Sequence, residues 1–251
     1  MIELKTPEEI KVMRQAGQVV AGLLDHLKTL IRPGIRTQEL DDQARDFIKR
    51  SGAKPAFLGY RGYPASICVS VNEEVVHSIP GQRQLKTGDV VSIDAGAVVN
   101  GFFGDAATTV TVGPVDAKVQ RLIDATRESL RKGIEQAVAG NRVSDISHAV
   151  QQVIEHEGFG IVRDFVGHGI GRAMHEDPPI PNFGPPNVGP RLKVGMVVAI
   201  EPMVTMGSHE VEVLKDGWTA VTRDGSLAAH FEHSVAITED GALVLTESRH
   251  A

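Results

Sequence analysis

The chain has 251 residues, a formal charge of −6 at pH 7 and an apolar fraction of 41%. This length can bury a hydrophobic core without disulfides, and the single cysteine, Cys68, excludes a disulfide within the chain. The negative net charge disfavours general attraction to nucleic acid. No apolar run reaches the roughly 20 residues of a membrane span, and the charged N-terminal segment lacks a signal-peptide pattern. We therefore expect a cytoplasmic globular protein.

Apolar residues at helical spacing predict two helices at the start of the chain. The first covers residues 7–32, with Thr6 as its N-cap and Pro7 in its first turn. The second covers about 37–51, with Thr37 as its N-cap.

Strand-like runs, two more helices and further strand-like runs follow in that order. The runs before the helices are SICVSV (66–71), DVVSIDAGAVV (89–99) and DAATTVTV (105–112). The helices are predicted at 115–139 and 144–157. The later runs are FGIVRDFVGHG (159–169), MVVAIEPMV (196–204), EVEVL (210–214), WTAVT (218–222) and FEHSVAIT (231–238). The proline-rich segment 177–190 is expected to be a rigid connection between strands.

Two pairs of segments indicate an internal repeat. LKTGDVVSID (85–94) aligns with LKVGMVVAIE (192–201), and residues 36–53 align with 142–159 at almost the same offset. The first alignment places Glu201 at the position of Asp94, its counterpart in the first half.

The repeat predicts an α+β fold with two related halves, approximately 1–112 and 113–251. No flexible linker separates the halves, so we expect a single catalytic domain spanning 1–251. A cleft between two such halves is a common place for a ligand.

The second and third strand-like runs form a predicted hairpin that carries two acidic residues. With Asn100-Gly101 as its two-residue turn, Gly96 lies opposite Asp105, and alternation of side chains puts Asp94 on the same face. The two carboxylates are then diagonal neighbours about 7–8 Å apart at the backbone. Buried carboxylates repel unless a proton or a cation lies between them, so a proton-sharing dyad and a metal site are both open.

Further metal ligands come from the repeat. Glu201 is the counterpart of Asp94, Glu232 lies on the strand that should follow, as Asp105 does, and His168 ends an apolar run between two glycines. Four carboxylates would be neutralised by two divalent cations. Such a donor set suits Mn, Fe(II) or Co, and two ions can share a bridging water and polarise a carbonyl.

Together with the segment GHGIGRAMHE and the duplicated halves, these residues resemble the short bacterial form of type I methionine aminopeptidase. The similarity runs from TPEEIKVMRQAGQVVA to FEHSVAIT, nearly the whole chain. It implies the pita-bread fold, in which two pseudo-twofold-related α/β halves with antiparallel sheets surround a binuclear metal site. The metal ligands alone are shared with prolidase and aminopeptidase P, so an X-Pro aminopeptidase or dipeptidase of this fold is the alternative.

The resemblance implies a ligand set and a reaction. Asp94 would bind one metal, Asp105 and Glu232 would bridge both, and His168 and Glu201 would complete the second site. Two divalent ions per chain are expected, with Co, Mn, Fe(II) and Zn as candidates. A metal-bridging water or hydroxide would attack the carbonyl after an N-terminal methionine, preferentially when the second residue is small.

The resemblance also implies substrate contacts. Glu201 is the expected proton shuttle, and His77 and His175 would contact the peptide and steady the oxyanion. The expected lining of the methionine pocket is Tyr60, Tyr63, Cys68 and Trp218. Three residues depart from the family pattern and leave the shape of the pocket open: Phe57, Arg61 and Met174.

The implied partners are the N-termini of peptides and nascent proteins. Such substrates are compatible with a transient association with the ribosome, and we expect a monomer that binds neither nucleic acid by itself nor a membrane. Two other functions fit the sequence less well. GHGIGRA does not fit the spacing of a dinucleotide-binding loop, and a binding protein without catalysis would have lost metal ligands that this chain retains.

Overall fold

The computed structural model describes residues 2–248 of the chain. This part contains four α-helices and one short 3₁₀ turn. They are α1 (Pro7–Leu30), α2 (Thr37–Arg50), the 3₁₀ turn (Tyr60–Gly62), α3 (Ala117–Glu135) and α4 (Val143–Glu157).

Fifteen strands lie between and after the helices in the described part. The first five are β1 (Lys54–Pro55), β2 (Ile67–Val71), β3 (Glu74–Val76), β4 (Val90–Val99) and β5 (Phe102–Thr111). The next five are β6 (Gly160–Ile161), β7 (Gly167–Gly169), β8 (Glu176–Ile180), β9 (Val197–Ile200) and β10 (Met203–Thr205). The last five are β11 (Val211–Val213), β12 (Ala220–Thr222), β13 (Ala228–His230), β14 (Glu232–Thr238) and β15 (Gly241–Val244).

A nine-stranded antiparallel sheet runs through the middle of the molecule. Its order is β1-β4-β5-β14-β9-β7-β8, with β2 beside β4 and β15 beside β14. Two three-stranded sheets, β13-β10-β6 and β11-β12-β3, complete the architecture. The repeat predicts that β9 is the counterpart of β4 and that β14 is the counterpart of β5. In the central order β4-β5-β14-β9, these counterparts occupy matching positions on either side of the β5–β14 pair. The division into halves at residue 112 remains a prediction.

The hairpin of β4 and β5 has the predicted register. Asn100 and Gly101 both have positive φ, as a type I′ turn requires, and Gly96 pairs with Asp105. Helix α1 packs against the other face of the hairpin. On that face Gly104 allows a close approach, because a Cβ there would lie 2.7 Å from the backbone nitrogen of Gly17. Helix α1 therefore does not cover the face of the hairpin that carries Asp94 and Asp105.

The structure confirms the predicted N-cap residue of α1 and contradicts the predicted N-cap residue of α2. Thr6 and Glu9 form a capping box at the start of α1. In α2 the N-cap is Arg36, whose backbone N–H donates to Glu39, and Thr37 is the first helical residue. The hydroxyl of Thr37 instead donates to the carbonyl of Gly81, so a tertiary contact occupies the expected capping group.

The apolar core contains two large clusters. Residues of α1, α2, β2 and the hairpin form one cluster, and residues of α3, α4, β9 and β14 form the other. Each helix pair therefore covers its own part of the sheet. Within residues 2–248, no helix combines the length and the apolar character needed to cross a membrane.

Several predicted boundaries are wrong. The run 159–169 is divided between β6 and β7, and 196–204 is divided between β9 and β10. Helix α3 is shorter than the predicted 115–139. The segment 177–190 is not wholly a connection, because its first residues belong to β8, which pairs with β7 at the edge of the sheet.

Candidate metal centre

One cavity of about 790 Å³, including its open mouth, contains every site residue named from the sequence. These are the predicted ligands and catalytic groups His77, Asp94, Asp105, His168, His175, Glu201 and Glu232, and the predicted pocket residues Tyr60, Tyr63, Cys68 and Trp218. The folded chain therefore brings together positions that span 173 residues of sequence, from 60 to 232.

Four acidic side chains enter the cavity from neighbouring strands of the large sheet. Asp94 lies on β4 and Asp105 on β5, while Glu232 begins β14 and pairs with Ala107 of β5. Glu201 follows the last residue of β9. The two halves predicted from the repeat thus contribute two carboxylates each.

These carboxylates include buried oxygens that lack hydrogen bonds. Asp94 Oδ1, Asp105 Oδ1 and Glu232 Oε1 are buried without a hydrogen-bond partner anywhere in residues 2–248. A buried polar atom left in this condition costs roughly 1–3 kcal/mol, and more when it is charged. Three such oxygens in one cavity fit a bound cation, which would supply the missing partner.

All four acidic side chains in the cavity have raised pKa values. Burial raises the pKa of Asp94 to about 7. Burial, followed by the charges of neighbouring carboxylates, raises the pKa of Asp105, Glu201 and Glu232 well above the usual range. A cation would reverse this effect by favouring the ionised forms.

His168 presents a free nitrogen to this acidic cluster. Its Nδ1 donates to the carbonyl of Gly169 at 2.9 Å, because a carbonyl can only accept, so Nε2 carries a lone pair. That Nε2 lies 3.7 Å from Glu201 Oε1. Burial, then His175, lowers the pKa of His168 to about 4, which keeps the ring neutral at pH 7. A ring held in this tautomer is typical of a metal ligand.

Two triads of donor atoms have the spacing of metal ligands. Asp105, His168 and Glu232 offer atoms within 4.8 Å of one another, and so do Glu201, His230 and Glu232. Glu232 belongs to both triads, whereas Asp94 lies outside them and lines the same cavity. The donor set of carboxylates and imidazoles therefore fits a divalent cation.

Two more histidines flank the carboxylates. His77 has the unusual φ of 61° and packs edge-on against Phe165. His175 shares a 2.9 Å hydrogen bond with the hydroxyl of Tyr60, and its ring centroid is 4.2 Å from that of His168. Burial, then the charge of His175, lowers the pKa of His77 to about 4, and burial, then Arg61, lowers the pKa of His175.

The cavity is also lined by an apolar cluster. Buried members of this cluster include Phe57, Tyr63, Cys68 and Met174. The Tyr63 hydroxyl donates to backbone carbonyls, and its ring meets Trp218 edge-on at 5.0 Å between centroids. Burial raises the pKa of the Cys68 thiol, so this sulfur is a protonated apolar group at pH 7. Phe57 and Met174 enlarge the apolar wall, while Arg61 is exposed at the mouth.

Sequence reasoning missed three residues of this region. Phe165 and Val166 line the cavity from the segment between β6 and β7, which the sequence predicts as one strand. His230 is buried beside Glu201, with its Nε2 3.8 Å from Oε2, and burial, then His77, lowers its pKa to about 3. A signal for His230 was present, because a residue two positions before Glu232 in an extended segment shares its face.

Comparison of the sequence with known proteins gives matches over almost the whole chain. A sequence profile described as metallopeptidase family M24 matches residues 11–239. The chain is 56% identical to methionine aminopeptidase 1 of Bacillus subtilis over 98% of this chain and 99% of that protein. It is 54% identical to a methionine aminopeptidase of Clostridium perfringens, again over 98% and 99%.

Solved structures agree with the sequence matches. A methionine aminopeptidase from Thermotoga maritima superposes with a TM-score of 0.97 at 49% identity, covering 99% of this chain and all of that one. A prolidase from Pyrococcus furiosus superposes with a TM-score of 0.80 at 25% identity and covers 98% of this chain but 66% of its own.

Proposed function

Because the chain belongs to metallopeptidase family M24, and within it to the methionine aminopeptidases, we propose that it hydrolyses the peptide bond after an N-terminal methionine with divalent metal ions. Its neighbours of known structure share the pita-bread fold expected from the sequence. The observation that carries the proposal is one cavity lined both by acidic side chains and imidazoles and by members of an apolar cluster.

Two divalent ions per chain are part of the proposal. Four carboxylates match the charge of two such ions, and the membership of Glu232 in both donor triads supports a bridging role for it. Asp105 would be the second bridging ligand, Asp94 would hold one ion, and His168 and Glu201 would hold the other. Co, Mn, Fe(II) and Zn are candidate metals. When bound, the ions would polarise the scissile carbonyl and lower the pKa of a water molecule.

The protein groups around the metals would handle protons and orient the peptide. We assign proton transfer to Glu201, because its carboxyl group lines the cavity beside the other acidic side chains, at the end of β9. With Tyr60 donating to Nδ1 of His175, the Nε2 of His175 carries a hydrogen and can donate to a peptide carbonyl. His77 is neutral as well and would provide the second contact.

The apolar cluster that lines the cavity is the proposed methionine pocket. Phe57, Tyr63, Cys68 and Trp218 offer a wall of ring faces and one sulfur, which suits an unbranched thioether side chain. Tyr60 lines the same cavity and packs against this apolar cluster, and its hydroxyl is also hydrogen-bonded to His175. The preference for a small second residue remains part of the proposal.

The experiment that tests this function compares two peptides. Metal-stripped protein would be incubated with Met-Ala-Ser and with an X-Pro peptide, each with and without added Mn²⁺ or Co²⁺. We expect metal-dependent release of methionine from Met-Ala-Ser. Cleavage of the X-Pro peptide alone would instead support the prolidase-like alternative, and full activity after chelation would contradict the metal-dependent mechanism.

The remaining proposals concern location, oligomeric state and ribosome association, and they follow from a nascent protein chain as the substrate. An enzyme with this substrate would work in the cytoplasm, as a monomer, and would meet its substrate during transient association with the ribosome. Sedimentation of the purified protein with and without ribosomes would measure both the oligomeric state and the association.

A further inference from the structure

We propose that His230 provides an additional nitrogen donor to the metal centre, beyond the five ligands assigned above. This inference rests on the proposed metal-dependent function and concerns the composition of the metal site. His230 is 1% exposed, and its Nε2 is a buried atom with no hydrogen-bond partner in residues 2–248. The Nε2 lies 3.8 Å from Glu201 Oε2, so it faces the acidic cluster.

The backbone of His230 is held in place by hydrogen bonds to the hairpin. Its N–H donates to the hydroxyl of Thr109 at 2.9 Å, and its carbonyl accepts from the same hydroxyl at 2.7 Å. Ser92 contacts that hydroxyl from the neighbouring strand. The main chain of His230 is therefore tied to the hairpin that carries Asp94 and Asp105.

Glu201 lies between two imidazoles. His168 Nε2 is 3.7 Å from one carboxylate oxygen and His230 Nε2 is 3.8 Å from the other. Both distances are too long for hydrogen bonds. They agree with donors that share an ion, because bonds of about 2.0–2.2 Å from one ion keep its donors within roughly 4.4 Å of each other.

A purely structural role explains this arrangement less well. A buried histidine that serves only packing normally has its ring nitrogens satisfied by hydrogen bonds. Here Nε2 has none, and it belongs to a triad with Glu201 and Glu232 whose donor atoms all lie within 4.8 Å. The partner that satisfies this nitrogen is a cation.

The additional imidazole has a consequence for metal choice. Nitrogen donors favour Co²⁺, Zn²⁺ and Fe²⁺, whereas all-oxygen sites suit Mn²⁺ and Mg²⁺. Two imidazoles, from His168 and His230, would shift the centre toward the first group. This preference can be measured by metal binding without any assay of the peptidase.

The test replaces His230 with glutamine, which keeps a neutral polar side chain of similar reach. Metal-stripped wild type and His230→Gln would be titrated with Co²⁺ and with Mn²⁺ by calorimetry, with the visible absorption of bound Co²⁺ recorded. We expect His230→Gln to weaken Co²⁺ binding about 10–100-fold, to weaken Mn²⁺ binding less, and to change the Co²⁺ spectrum. His233→Gln is the matched control, because the half-buried ring of His233 has a hydrogen bond to Thr246 at Nδ1, and it should leave Co²⁺ affinity unchanged.

Unchanged Co²⁺ affinity and spectrum in folded His230→Gln would overturn the proposal. If that variant does not fold, a crystal structure of the Co²⁺-loaded wild type decides the question by anomalous scattering. Co²⁺ at about 2.1 Å from His230 Nε2 supports the proposal, and Co²⁺ held by the carboxylates beyond bonding distance of that nitrogen contradicts it. Failure of the Met-Ala-Ser assay would refute the proposed function separately, since neither binding readout depends on catalysis.

Discussion

Glu232 is the residue that both donor triads share, and it is 2% exposed. We predict that Glu232→Ala lowers kcat/KM for Met-Ala-Ser more than about 100-fold, because a bridging carboxylate is lost. The metal-free variant should unfold at a temperature no lower than that of metal-free wild type, since the buried carboxyl group lacks hydrogen bonds at Oε1. Exposed Glu8→Gln is the control, and near-normal turnover of Glu232→Ala would show that Glu232 is not a metal ligand.

Arg61 is an exposed cation at the mouth of the cavity. Its backbone is in the left-handed region with φ 49°, and its guanidinium lies 5.4 Å from the ring centre of Tyr60, the partner of His175. It makes no ion pair with any carboxylate in the described chain. The charge is therefore available to residues that follow the methionine of a substrate.

From this position we predict a charge preference. Wild type should cleave Met-Ala-Glu peptides roughly 2–5-fold faster in kcat/KM than Met-Ala-Lys peptides, and Arg61→Glu should reverse the order. Both preferences should weaken at high salt because the charges are exposed. Measurements on neutral Met-Ala-Ser separate this effect from damage to the site. An identical Glu/Lys ratio in wild type, Arg61→Ala and Arg61→Glu would contradict the prediction.

The sequence could predict part of the site at this scale. The turn at Asn100-Gly101 determines the pairing of Gly96 with Asp105, so the convergence of the hairpin carboxylates follows from local rules. His230 could be placed on the same face as Glu232, but no local rule indicates that its Nε2 lacks a partner. That property depends on packing between strands distant in sequence.

At the scale of single elements, prediction succeeded where the element is stabilised locally. Helix α1 has an apolar stripe and a capping box, and its start was predicted to the residue. Prediction failed where tertiary contacts decide. Pro178 and Pro179 disfavour a strand, yet β8 includes them because it lies at the edge of the sheet, where proline is tolerated. Pro202 interrupts the run that begins with β9, and Glu201 is at that break.

Helix α1 offers a matched pair of glycine substitutions. A Cβ on Gly17 would lie 2.4 Å from the carbonyl oxygen of Leu245, whereas on Gly22 the nearest atom is Cζ of Phe47 at 3.4 Å. We predict that Gly17→Ala lowers the free energy of unfolding by about 1–3 kcal/mol through overpacking. Gly22→Ala should raise it by up to about 1 kcal/mol, since alanine is the better helix former. Urea unfolding measures both, and equal effects of the two substitutions would mean that α1 does not pack tightly against the Leu245 segment.

At the scale of the whole molecule, the site lies where the two predicted halves meet. The pairing of β5 with β14 joins them in one sheet, and Ser234 of β14 binds the backbone of Asp105 through its hydroxyl. The carboxylates of β4 and β5 therefore face those of β14 and the end of β9 across the junction between β5 and β14. Without a cation, like charges repel at the junction on which the architecture depends.

This arrangement predicts how the stability of the metal-free protein changes with pH. The four carboxyl groups have raised pKa values in the folded state, about 7 for Asp94, compared with about 4 in unfolded chains. The folded state thus holds more protons, so this contribution to stability is complete below about pH 4 and is lost as pH rises through the folded pKa values. Buried histidines with lowered pKa values, such as His168, oppose this trend only below about pH 6.5.

The histidines are neutral in both states above about pH 7, and the Cys68 thiol, whose pKa is raised by burial, is largely protonated in both states below about pH 8, so the carboxyl contribution is isolated between these values. We predict that the unfolding temperature in EDTA falls between about pH 7 and 8, and that saturating Co²⁺ reduces this dependence because the cation replaces the protons. Glu232→Gln should lessen the fall of the unfolding temperature in EDTA, since one of the four titrating carboxyl groups is removed. The same slope with and without Co²⁺, or an unfolding temperature that rises with pH in EDTA, would contradict the view that these four acids share one cation-dependent site.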